Sequence, residues 1–286
     1  MLLPLVFKGN GNVRLNYFRI ILIGTYLWSG IHKINPSFIE IAYPSIMEGL
    51  FGMTDPDFVE STRILGYGIP VVEILISFGL FFPRSRHIAV YFAILSHLFI
   101  LWYLGPLGIN QNSIVYPWNI AMILMVWILF FNSEDKIVFL KQQPYKWKIL
   151  NLKIILLVWI FPVFNFIGYW DNYLSFSLYS EKMTDMYVAI EENELQKFKD
   201  RFDNCFVELE GITGGKIIDI NKWALKELNV PVYPETRIYK QIAEVFCGYN
   251  ISQDKLIFIE ATRPLGFGSL HSYSCRDLQF PTAKGK

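Results

Sequence analysis

Five stretches of roughly 20 mainly apolar residues, about 15–34, 64–83, 88–105, 114–132 and 151–170, crowd into the first part of this 286-residue chain. A helix needs about that length to cross the hydrocarbon layer of a bilayer, and backbone groups in lipid must be satisfied within their own segment. The sequence therefore predicts an all-α polytopic membrane bundle of about five transmembrane helices, with the lipid bilayer as its first partner. Composition agrees, since only 18% of the residues are charged where a soluble domain carries about a quarter. A formal net charge of +1 without a Lys/Arg stripe leaves nothing for a phosphate backbone to bind, so nucleic acid is excluded as a partner. No small-residue cleavage site follows the first stretch, which reads as an uncleaved span rather than a signal peptide.

Cytoplasmic loops retain Lys and Arg. Lys8 and Arg14 precede the first span, Arg84 and Arg86 lie between the second and third, and Lys136, Lys141, Lys146 and Lys148 lie between the fourth and fifth. The opposite loops carry Glu40, Glu48, Asp55, Asp57 and Glu60, or no charge at all over 105–113. The N-terminus is thus expected inside and the C-terminal part outside. Residues 38–52 are apolar but short, with two acids and a proline, and read as an amphipathic segment on the outer surface, either a lid over the mouth of the bundle or a plain interfacial loop.

Beyond residue 173 charges become frequent, and 174–286 is expected to form a separate, small α+β extracytoplasmic domain appended to the 1–173 bundle. Helical spacing runs over 191–202, a strand followed by a helix over 216–228, an amphipathic helix over 235–246 and a strand over 255–261. This domain is the surface through which a protein partner would bind. Its cysteines, Cys205, Cys247 and Cys275, allow one disulfide and one free thiol, with the pairing open. No CysXXCys occurs, which argues against a thiol relay. The run HSYSC at 271–275 supplies two metal-capable side chains, too few for zinc, so no metal is expected.

Ionisable groups at mid-membrane are costly and are normally turned inward and paired. Glu73 sits near the middle of the second span on a stripe with Gly66, Pro70 and Ser77, and His97 lies at matching depth in the third beside Ala93 and Ser96. The spacing permits a Glu73–His97 contact, either a proton-handling pair or a buried tie between helices. On the first span Tyr26, Ser29 or Gly30, and Lys33 share a face. Lys33 could line an outward pocket with Trp118, Asn119 and Asn165, or simply snorkel to water. Trp118 and Trp170 read equally well as interface aromatics, and Arg19 is expected to reach the cytoplasmic head groups.

RIILIGTYLWSGIHKIN at 19–35 resembles the opening helix of the DoxX and MauE-like membrane proteins, which carry an Arg, a Gly a turn later and a Gly-x-x-Lys-Leu/Ile ending. The Glu of the second span suits that group. The resemblance implies a four-helix membrane bundle in a bacterial cytoplasmic (inner) membrane, with roles in redox chemistry or in maturation of extracytoplasmic proteins. The same GIHKIN segment is similar to the Gly-x-x-Lys-Leu-Asp motif of the horizontally transferred transmembrane family, which includes the vitamin K-dependent carboxylase. That likeness would make Lys33 a base. The Trp118-Asn119 pair matches another carboxylase motif, which there precedes the lysine segment and here follows it.

The reading that results is an integral membrane protein in which a quinone-like lipid enters between helices. Glu73, His97 and Lys33 would carry the chemistry, and Tyr26, Trp118, Asn119 and Asn165 would hold the ligand. An anchor or scaffold subunit, with the C-terminal domain as partner-binding module, is the alternative from another class. A lysine-based carboxylase-like enzyme is the third.

Overall fold

The computed structural model describes residues 11–52, 55–139, 149, 152–177, 180, 183–191, 194–208, 216–248, 255–262 and 269–279. Lys8, Lys141, Lys146 and Lys148, residue 151 at the start of the fifth expected span, and residues 192–193 of the expected helix at 191–202 lie outside them. The chain divides into two compact units, Met1–Lys182 and Met183–Lys286.

The first unit is built around α1, Gly11–Lys33, of whose 23 residues thirteen are buried, from Tyr17 to Lys33. A helix so enclosed is the core element onto which the others pack. A short π-helical turn, Phe38–Ala42, leads into α2, Tyr43–Phe51. Asp55 then opens a new helix, its carboxylate accepting from the Asp57 amide while Pro56 takes the first turn, where no amide partner is needed. That helix runs from Pro56 to Phe81. It consists of α3, Pro56–Thr62, a tighter 3-10 turn, Arg63–Tyr67, and α4, Gly68–Phe81. The helices α5, Arg86–Leu104, and α6, Val115–Phe130, follow. In sequence order around the bundle, α1 packs on α4, α4 on α5, α5 on α6 and α6 back on α1.

A further apolar helix, α7, Leu152–Ile167, also touches α1. It is irregular, passing through a π segment at Leu156–Ile160 into a 3-10 segment at Phe161–Ile167. Pro162 lies at that junction, where its ring removes one intrahelical donor and breaks the regular ladder.

Among the described residues two helices, Pro56–Phe81 and Arg86–Leu104, are long and apolar enough to cross a membrane, and only 28% of the most apolar window of each is buried. The core helix of a water-soluble domain would be mostly buried. Here Val71, Leu75 and Phe78 on α4, and Ile88, Phe92, Leu95, Phe99 and Trp102 on α5, are exposed at helical spacing. Continuous apolar stripes of that kind suit a lipid contact. Of the five expected spans, Val115–Phe130 and Leu152–Ile167 are apolar but shorter, and α1 is the enclosed centre.

The second unit is a five-stranded antiparallel sheet with strand order β2-β3-β1-β4-β5. The strands are β1, Thr184–Ile190; β2, Phe206–Val207; β3, Lys216–Asp219; β4, Leu256–Thr262; and β5, Ser269–Ser274. The central β1 alternates buried and half-buried residues, the mark of a strand with one face on a core. Four helices complete the unit: α8, Gln196–Phe202; α9, Ile220–Leu228; α10, Thr236–Cys247; and α11, Cys275–Gln279. Met186, Val188 and Phe258 from the sheet pack with Phe198, Phe202, Tyr239 and Phe246 from the helices. The strand-to-helix switch expected at 216–228 falls at Asp219, whose carboxylate caps α9 by accepting from the Lys222 amide. A disulfide joins Cys247 at the end of α10 to Cys275 at the start of α11, and Cys205 is a buried free thiol.

Candidate functional site

At one end of the first unit α1 and α4 approach closely because Gly30 has no side chain. A Cβ there would meet the Pro70 carbonyl oxygen at 2.8 Å and Glu73 Cβ at 3.2 Å. The approach lets Lys33, one turn further along α1, reach the carboxylate of α4. Lys33 Nζ donates to Glu73 Oε1 at 2.9 Å, to Glu73 Oε2 at 2.8 Å and to Ser29 Oγ at 2.7 Å. An ammonium has three protons, and each has an acceptor here. The two charged side chains are 8% and 18% exposed, so this ion pair is shielded from solvent far more than a surface pair would be.

Beside it runs a second polar chain. Asn119 Nδ2 donates to the Val115 carbonyl one turn back on α6, which turns Asn119 Oδ1 toward His97 Nδ1 at 2.6 Å. That oxygen can only accept, so His97 Nδ1 carries the proton. When the ring is neutral, His97 Nε2 then accepts from the Tyr26 hydroxyl, the two atoms being 2.7 Å apart. Tyr26, His97 and Asn119 thus bind α1, α5 and α6 together with the imidazole at the centre. Glu73 and Lys33 lie near enough to act electrostatically on His97, and Glu73 on Tyr26.

Several expectations change. Glu73 and His97 share no hydrogen bond: the acid takes the lysine and the imidazole takes the tyrosine and asparagine. An isolated carboxylate at this depth does better with a full positive charge than with a neutral ring. Lys33 does not snorkel, because Glu73 and Ser29 hold it inside. Arg19 does not reach outward to head groups; it is buried, with Nε on the Leu129 carbonyl at 2.7 Å and Nη1 on Asp135 Oδ2 at 3.0 Å. Trp118 is 37% exposed and stands outside the cluster. Asn165 is bound in its own turn, donating to the Trp170 carbonyl and Asn172 Oδ1. On this structure Tyr26, Lys33, Glu73, His97 and Asn119 come together, while Trp118 and Asn165 do not join them.

Reasoning from the chain alone missed two further groups. Ser29 supplies the third acceptor for Lys33, a role foreshadowed by its place on the Tyr26–Lys33 face. Arg86 is fully buried and donates to the carbonyls of Leu80, Phe81, Ser133 and Asp135. Together with Arg19 it collects last-turn carbonyls of α4 and α6, which carry the negative end of the helix dipole. Asn16 Nδ2 donates to the Val138 carbonyl, so the start of α1, the α4–α5 turn and residues 133–138 meet at this arginine end. At the Lys33 end, Ile39 and Tyr43 lie against Gly66, where a Cβ would come within 3.0 Å of both, and the Tyr103 hydroxyl donates to the Ser45 carbonyl. The segment 38–51 therefore crosses from α4 to the end of α5. At 1.5 Å rise per residue this roof stands about 10 Å above Glu73 and His97.

His32 is buried and stacks on Phe166 at 4.6 Å between ring centres. The HSYSC run forms β5 and the start of α11, with Cys275 committed to the disulfide. The carboxylate of Glu260 in β4 is buried and accepts from the Tyr273 and Thr236 hydroxyls. Burial first, and then the Glu260 charge, raises the Tyr273 phenol well above its ordinary value.

The family model described as Methylamine utilisation protein MauE matches residues 12–114. The match takes in Tyr26, Lys33, Glu73 and His97 and stops short of Asn119. No curated protein and no solved structure matches the chain.

Proposed function

We propose that this chain, whose residues 12–114 match the MauE family model, is an integral membrane protein of a redox or protein-maturation process, handling protons for an apolar ligand at the Lys33 end of its bundle. In this reading five helices span the bilayer with the N-terminus inside, the membrane is a bacterial cytoplasmic one, and residues 174–286 stand outside as a separate domain. The observation that carries it is a salt pair and a hydrogen-bonded imidazole set side by side within helices whose outer faces are apolar. Such groups are expensive in lipid and are kept where they are used.

In mechanism, a quinone-class ligand comes between the helices and places an oxygen near the Tyr26 hydroxyl and the Lys33 ammonium. Tyr26 and His97 form a proton-transfer couple, because the hydroxyl donates to Nε2 and Asn119 holds the ring with Nδ1 protonated. Glu73 balances the Lys33 charge and would take up a proton that the ligand gives up. A lysine base of the carboxylase kind needs a nitrogen open to its substrate, whereas Lys33 Nζ is engaged by Ser29 and both Glu73 oxygens.

Titration of the purified full chain with a short-chain quinone tests this reading. His97→Ala and Glu73→Gln variants that remain folded should lose at least tenfold in affinity, and equal affinity in all three proteins would sink it. A scaffold role is supported by the second unit having its own core. It would be preferred if the variants bound quinone as the parent does, or not at all, while a stoichiometric protein partner co-purified.

A further inference from the structure

Two charged layers lie at different depths of the first unit, and what separates them bears on where protons come from. The Lys33–Glu73 pair and the Tyr26–His97–Asn119 chain form the upper layer. Arg19, Arg86 and Asp135 form the lower one. Seven residues of α1 separate Arg19 from Tyr26, and eleven of α5 separate Arg86 from His97, or about 10 and 16 Å of helix.

Each of the four ring helices fills that interval with buried apolar side chains, among them Ile20 and Ile23 of α1, Ile76 and Leu80 of α4, Val90 and Ala93 of α5, Met122 and Val126 of α6. All eight belong to one packed cluster and none is more than 2% exposed. The hydroxyls within the interval are consumed locally. Ser77 donates to the Ile23 carbonyl and Thr25 to the Ile21 carbonyl. On α7 the buried Trp159 indole nitrogen lies beside Gly24. A proton crosses a protein along titratable groups or ordered water, and a water there needs two or more polar partners where this layer offers that single donor. At the lower end the Arg86 guanidinium is spread over four carbonyls.

We infer that the upper polar cluster exchanges protons with one face of the membrane only, the face at the Lys33 end, and that the bundle is sealed against transmembrane proton flow by this apolar layer. The inference rests on the proton-handling reading above and adds the side on which that chemistry is coupled. Its titratable groups are Tyr26 and Lys33 on α1, Glu73 on α4 and His97 on α5; α6 contributes the neutral Asn119. A ligand protonated or deprotonated there exchanges its protons with the compartment at the Lys33 end. The chain is then a one-sided proton-exchange element and not a proton carrier. The arginine layer is a separate structural floor.

The full chain in liposomes provides the test, with its orientation fixed by protease access to the C-terminal unit. With a pH dye inside and the membrane potential clamped, proton flux under an imposed pH step should equal that of protein-free liposomes. Flux several-fold above that baseline overturns the seal while leaving proton handling intact. In the same vesicles, the rate at which dicyclohexylcarbodiimide labels Glu73, read by mass spectrometry with Glu73→Gln as the blank, should change several-fold when the pH at the Lys33 end is stepped. It should stay constant when the other compartment is stepped. Labelling that follows the opposite compartment overturns the inference. Labelling indifferent to both removes the proton-handling reading and this inference with it.

Discussion

The two units of this chain solve burial in opposite ways. In the first, the outer surface is apolar, with Leu75, Phe78, Ile88 and Leu95 exposed, while Lys33, His97, Asn119, Arg19 and Arg86 lie inside. In the second, Phe198, Phe202, Phe246 and Phe258 lie inside, and a single disulfide clips helix ends together. In water the hydrophobic effect makes the inside apolar. In lipid it does not discriminate between helix faces, so packing, small residues and polar ties must choose the neighbours instead. Gly30 and the Lys33–Glu73 pair supply that choice between α1 and α4, and the Tyr26–His97–Asn119 chain does so among α1, α5 and α6.

That contrast can be broken most forcefully at Lys33. Lys33→Met leaves Glu73 charged and without its partner, and should cost about 3 kcal/mol or more of stability. Thermal unfolding in detergent reads the loss. The double variant Lys33→Met/Glu73→Met should recover most of it, because removing both charges leaves nothing uncompensated. A double variant as unstable as the single one would show that the pair is not what holds α1 to α4. Next in size, reducing Cys247–Cys275 frees a loop of 28-residue separation and should destabilise the second unit alone by roughly 3 kcal/mol. Helix-bundle unfolding followed by Trp fluorescence should not move.

Gly30→Ala sharpens the comparison further. Its new methyl meets a backbone carbonyl at 2.8 Å, which cannot swing away, so about 1–3 kcal/mol should be lost. The distance from Lys33 to Glu73 should grow. The same exchange at exposed Gly11, which has nothing within 4 Å of a Cβ, should be neutral or slightly stabilising.

The smallest effect concerns Asp277 in the second unit. The Ser274 amide, and next the Ser274 hydroxyl, donate to its carboxylate and hold it below the usual aspartate range. A depressed folded-state value means the stabilisation is complete above the ordinary aspartate value, near pH 4, and fades as pH falls through the folded value. Asp277→Asn should therefore lower this unit's stability slightly at pH 7 and leave it unchanged below the folded value, so that its acid dependence flattens. A midpoint measured by circular dichroism across pH 2–5 checks it.

Much of this architecture could be read from residues, and the failures have a common cause. Apolar length marked the helices, and the shift to frequent charge marked where an α and β portion begins. The switch at Asp219 and the helix after Pro234 were legible because capping and periodicity are local. The short β2, and β1 and β5 with their mixed polar residues, left no comparable local signal; their pairing is a long-range matter. The candidate site divides in the same way. Tyr26, Lys33, Glu73, His97 and Asn119 stood out as polar residues in apolar runs, but which of them meet depends on how far α1 slides into α4, and that is decided by Gly30. Trp118 shows the limit of the approach. At the start of a helix its neighbours in sequence resemble those of Asn119, yet one residue turns the side chain by about 100° and out of the cluster. Arg19 and Arg86 looked like charges for the membrane surface because nothing in their own segments reveals the helix-end carbonyls that receive them.

An ion pair and a hydrogen-bonded imidazole chain stand side by side within the bundle. A density map of the full chain in lipid nanodiscs, resolved well enough to place side chains, tests this arrangement most directly. It should show Lys33 Nζ within hydrogen-bond reach of both Glu73 oxygens and of Ser29, and the His97 ring between Tyr26 and Asn119. A Glu73 side chain turned to lipid or bonded to His97, with Lys33 extended into the head groups, would contradict it.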